Sequence, residues 1–205
     1  MAATATRVAQ PAYGDDLTVR AARALYFQRN GFGDGGYDAR WVKLEAGPIP
    51  LWFPNTKARV AAVKLHDVHH AATGYDTTWT GEAEIGAWEI ASGCAHHYAA
   101  WLLNLQAMGI GLAIAPRAVL RAFVRGRHSE NLYRSELDDA LLDAPLGAVR
   151  RRLGLASETP PPGARELVAF AAWGAASVAT LAATIALTVA PVVATAWAVR
   201  RAFGA

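Results

Sequence analysis

The chain holds a single cysteine, Cys94, among 205 residues. That excludes an internal disulfide framework and any zinc knuckle built on several thiolates. Cys94 lies in Ala91-Ser92-Gly93-Cys94-Ala95 and reads as a small buried hydrophobe rather than a reactive thiol. The arginines form no stripe interleaved with aromatics, and the net charge is only +3, so nucleic acid is not an expected partner. They gather instead between Arg117 and Arg134 and at Arg150-Arg151-Arg152, which suits a membrane surface. The opening MAATATRVAQPAYGDD lacks the apolar core of a secretory signal. The main domain is therefore expected on the cytoplasmic side. There is no internal repeat, and no alternation strong enough to predict a sheet.

The longest uncharged apolar run lies near the far end. Residues Leu167 to Val199 carry no formal charge, and about 20 such residues cross a bilayer. Arg165 precedes the run, Arg200 and Arg201 follow it, and Trp173 and Trp197 sit where interfacial aromatics belong. A transmembrane helix over 165–201 is expected, with Pro191 as a kink point. A hairpin or an in-plane helix is the alternative, although Ala182-Ala183-Thr184-Ile185 contains no turn residue. The Pro-rich stretch at 156–164, with Pro160-Pro161-Pro162-Gly163, separates this tail from a body at 15–155. Residues 1–14 are expected to be disordered.

The body reads as all-α. Asp15-Asp16 can cap a helix through Val19, Ala22, Leu25 and Phe27, which Gly31 ends. Residues 31–54 are loop, with at most a short strand around Trp41 to Leu44. Asn55 or Thr56 starts a helix that Gly74 stops, and another begins near Gly81, with a break at Gly93. Pro116 and Pro145 open two more. Tyr98 to Leu120 is nearly apolar and is either a buried helix or a second span.

Half of the six histidines fall within five residues, in LHDVHHAATGYDTTWTGEAE. On a helix His66 and His70 lie one turn apart on one face, and Asp67 joins their arc. His69 falls on the opposite flank of His66, available for a proton-carrying role. Glu82, eleven residues beyond His70, opens the next helix and can return toward the histidines. Two imidazoles and two carboxylates suit zinc or another divalent first-row ion. The alternative is the HxxHH box of membrane di-iron desaturases and hydroxylases, matched by His66, His69 and His70. That chemistry needs several further histidine boxes, and only His96, His97 and His128 remain.

The pattern His66-Asp67-x-x-His70, eleven residues, Glu82 resembles the HDxxH-x11-E signature of the coenzyme Q biosynthesis protein 4 family. Thr73-Gly74 and Gly81 fit the same pattern, as do Arg125-Gly126-Arg127 and Pro145-Leu146 through Leu153-Gly154. The resemblance covers residues 56–155. It implies an α-helical, membrane-associated protein of ubiquinone biosynthesis, with one divalent metal, zinc foremost, between two consecutive helices. His66, Asp67, His70 and Glu82 are then the ligands, and Gly126 and Arg127 are candidates for contact with an anionic group of the substrate. The implied role is oxidative removal of the ring carboxylate at C1 from a polyprenylated aromatic or quinone precursor. A scaffold that binds such a lipid for other quinone-biosynthesis enzymes, with a structural metal, is the alternative. The chain departs from the family in its C-terminal membrane segment and in residues 47–56, which match no family pattern.

Overall fold

Threonine caps set the first three helices. In a computed structural model, which describes residues 13–44 and 51–203, Thr18, Thr56 and Thr78 each accept a backbone N–H of the first turn. They open α1 (Val19–Asn30), α2 (Lys57–Thr73) and α3 (Trp79–Ser92). Each cap satisfies one of the amide donors that a helix start leaves unpaired. The cap of α1 is therefore Thr18 rather than Asp15-Asp16. Gly31 and Gly74 end α1 and α2 in the left-handed conformation, which glycine adopts without a Cβ penalty.

The remaining helices are α4 (Tyr98–Ile114), α5 (Pro116–Arg127), α6 (Asp139–Asp143), α7 (Leu146–Arg152) and α8 (Ala164–Phe203). The chain is mostly helical, as expected, with one exception among the described residues. Strands β1 (Trp41–Leu44) and β2 (Leu51–Pro54) pair antiparallel, Trp41 opposite Pro54 and Leu44 opposite Leu51. Only the first was anticipated as a short strand. Four residues per strand are too few for alternation to declare itself, and the aromatic and branched residues that favour pairing are shared with helices. The expectation for residues 1–14 falls almost wholly outside the described residues.

The chain divides into two compact units, Met1–Asp76 with Ser129–Glu158, and Thr77–His128 with Thr159–Ala205. The break at 158/159 lies within the Pro-rich stretch; those at 76/77 and 128/129 had no sequence signal. In the first unit α1 and α7 pack on α2, and α6 on α1. Val19, Tyr26, Leu65, Val68, Leu132 and Leu146 are among its buried residues. Arg150 is buried there as well. Its guanidinium donates to the carbonyls of Ala71 and Ala72, both at 2.9 Å, and of Tyr13 at 2.8 Å, and pairs with Asp15 at 2.5 Å.

In the second unit α3 packs against both α4 and α5. Its buried carboxylate, Glu89, accepts a hydrogen bond from Asn104 of α4. Cys94 lies 3.6 Å from the Asn104 amide, and burial raises its thiol well above the ordinary range, consistent with an inert thiol. Helix α8 continues unbroken through 182–185 and through Pro191, so this tail is no hairpin. Its segment Ala164–Pro191, of mean hydropathy 1.7, is long and apolar enough to cross a membrane. Part of it packs on α4, where Gly109 approaches Ser177, Gln106 donates to Thr184 at 2.9 Å, and Trp101 stacks on Trp173. Helix α4, packed against both α3 and α8, is a packed helix of this unit, with Tyr98, Leu102 and Ile114 exposed.

Candidate metal centre

Helical spacing puts His66 and His70 on one stripe of α2, one turn apart. Their Nε2 atoms lie 3.1 Å from each other. The orientation of His70 is set from two directions. Its Nδ1 is 3.0 Å from the Tyr75 carbonyl, and a carbonyl can only accept, so Nδ1 carries the proton and Nε2 presents a lone pair. Tyr26 of α1 stacks on the same ring, at 5.1 Å between centroids. An imidazole whose far nitrogen donates to a backbone carbonyl is the arrangement that metal-bound histidines use.

His66, His70 and Glu82 each offer a ligand atom, and these atoms all lie within 4.8 Å of one another. Among the described residues this is the one such group of three or more donors. The donor set fits a divalent ion. Two nitrogens about 2.05 Å from a tetrahedral zinc stand roughly 3.3 Å apart, close to the separation of the two Nε2 atoms.

Asp67 is placed differently from the other three expected ligands. It is buried and accepts the Tyr37 hydroxyl at 2.5 Å. Burial raises its carboxyl above the usual range, and the Tyr37 hydrogen bond and the two histidines oppose that rise. Burial, reinforced by the Asp67 carboxylate, pushes Tyr37 upward. Asp67 thus stands beside the histidines, bound to a residue that carries no sequence signal of its own.

His69 is fully buried. Its Nε2 accepts the Leu132 backbone N–H at 2.9 Å, and its ring meets Tyr133 edge-on. It anchors the chain after residue 129 to α2, and proton carrying would first have to break that bond. Arg127 is exposed at the end of α5. Gly126 is buried, and a Cβ there would stand 2.3 Å from the Trp88 carbonyl oxygen. Glycine is what lets α5 approach α3 this closely. Gly126→Ala is expected to cost about 2 kcal/mol through overpacking and to leave metal content unchanged. Thermal unfolding with elemental analysis on the same preparation checks this; lost metal with an unchanged melting temperature would refute it.

No protein-family model, curated protein or solved structure matches the chain. The donor geometry and the spacing of the motif are therefore what bear on function.

Proposed function

We propose that the chain is a metal-dependent, membrane-associated protein of ubiquinone biosynthesis that takes a polyprenylated aromatic or quinone precursor as substrate. The observation that carries this is the His66, His70 and Glu82 group, set at the spacing HDxxH-x11-E. The reaction is oxidative removal of the ring carboxylate at C1. The bond from ring to carboxylate breaks and carbon dioxide leaves. A hydroxyl oxygen from water takes its place, and dioxygen, the required oxidant, accepts two electrons and two protons to give hydrogen peroxide.

His66, His70 and Glu82 hold the ion, with zinc as the ion proposed. When bound, it would polarise a phenol or carboxylate oxygen of the substrate or activate water. The Tyr75 carbonyl and the Tyr26 ring keep His70 turned toward the site, and Tyr37 holds Asp67 beside it. Helix α8 anchors the protein in the bilayer, with the rest of the chain on the cytoplasmic side and within reach of other quinone-biosynthesis enzymes.

The engagement of Asp67 by Tyr37 favours a second reading of the metal. Two imidazoles and one carboxylate are also the donors of mononuclear iron(II) oxygenases. Metal analysis of detergent-purified protein, with mass spectrometry of its extracted lipids, tests both halves. One zinc or one iron per chain and a co-purifying isoprenoid aromatic are expected. Absence of any such lipid, with no binding of added ones, would overturn the functional half. Chelation is expected to leave the helices folded, because Arg150 and the apolar core hold α2 without the ion. Unfolding on chelation would instead mark a scaffold with a structural metal.

A further inference from the structure

Three cations surround the Tyr37–Asp67 pair, and none has an acidic partner within ion-pair distance among the described residues. Arg23 of α1 lies 5.7 Å from the centre of the Phe27 ring, which meets Tyr37 edge-on at 6.0 Å. The Lys64 ammonium is 5.2 Å from the centre of the Tyr37 ring. Arg59 packs over Phe53 at 5.6 Å, and its Nη1 donates to Asn55 at 2.8 Å. Its Nε is buried without a hydrogen-bond partner. Both arginines lie close enough to Tyr37 to favour its ionised form electrostatically.

Their positions point along the site. Arg59 precedes His66 by seven residues, so the two lie within about 20° of each other around the α2 axis. Arg23 precedes Tyr26, the residue stacked on His70, by three positions and so shares a face of α1 with it. A buried guanidinium N–H with no acceptor is costly, and the Asp67 carboxylate, which accepts from Tyr37, faces both Arg23 and Arg59. The surplus is positive, and an anionic oxygen would both relieve it and satisfy Arg59.

We propose that Arg23 and Arg59 clamp the carboxylate of the site's aromatic ligand beside the Tyr37–Asp67 pair, with Lys64 adding positive potential. This rests on the aromatic substrate proposed above. The planar forks of two arginines match a carboxylate, as a single lysine would not. Exposed Arg127 is displaced from that role.

The test uses the full chain in detergent micelles with its metal, and two probes: 3-geranyl-4-hydroxybenzoate and its carboxylate-free twin, 2-geranylphenol. Calorimetry should show the acid binding about 10-fold tighter than the phenol. Arg23→Gln and Arg59→Gln should each erase most of that preference, leaving phenol affinity and metal content unchanged. Arg23→Gln keeps the test decisive if Arg59→Gln, which loses the bond to Asn55, fails to fold. Equal binding of the two probes by the native chain overturns the clamp alone, since a prenylated aromatic still binds. Full preference retained in Arg23→Gln overturns it too. If neither probe binds, the clamp and the substrate reading fall together.

Discussion

Replacing Arg150 with alanine is expected to destabilise the first unit by about 3–5 kcal/mol, the usual cost of breaking a buried charged network. The last carbonyls of any helix lack partners inside it. Here the Arg150 fork supplies donors to Ala71 and Ala72, in the last turn of α2, and to Tyr13. Alanine strands all three carbonyls and frees Asp15, and it opens a void where the guanidinium was. Arg150→Lys should recover less than half of the loss, because a point charge cannot serve carbonyls lying in several directions. Thermal denaturation followed by circular dichroism should show an early transition about 15 °C lower in Arg150→Ala. A loss under about 1 kcal/mol would mean that the network is dispensable and that packing alone positions α2.

Replacing His66 or His70 with alanine should have the largest effect on the metal. Each contributes one of three donors, and loss of one should weaken binding by more than about 100-fold, beyond what disturbing a ligand's supporting partners costs. Dialysed protein should then retain little metal while its helical content stays unchanged. Glu82→Gln should behave in the same way. Asp67→Asn separates the geometry of the structure from the four-ligand expectation. With its carboxylate held by Tyr37, Asp67 should cost only about 10-fold, as a supporting partner does. Equal loss in Asp67→Asn and His66→Ala would make Asp67 a ligand and Tyr37 its support. Elemental analysis of the four variants side by side decides this.

Much of the helical framework was legible because its signals are local. Thr56, Gly74, Gly93 and Pro116 act on their own turns, and each marks a boundary where expected. The cap of α1 was misplaced by two or three residues because Asp15, Asp16 and Thr18 all have the chemistry for it, and only the backbone chooses among them. Helix α6, just five residues long, offered too short a period to detect.

The sequence by itself determined the helical character of the chain, the apolar length of α8 and the pairing of His66 with His70 across one helical turn. All three follow from spacing along the chain, which a sequence records directly. The tertiary structure alone decided that Asp67 is bonded to Tyr37, that His69 anchors Leu132, and that Gly126 serves a close helix contact. It alone also brought Arg23 beside Tyr37 and Arg150 to the end of α2. These partners lie from 14 to 79 positions apart, and no local period encodes which distant side chain will fill a given hydrogen bond. That choice belongs to packing, where burial leaves each polar group few acceptable partners.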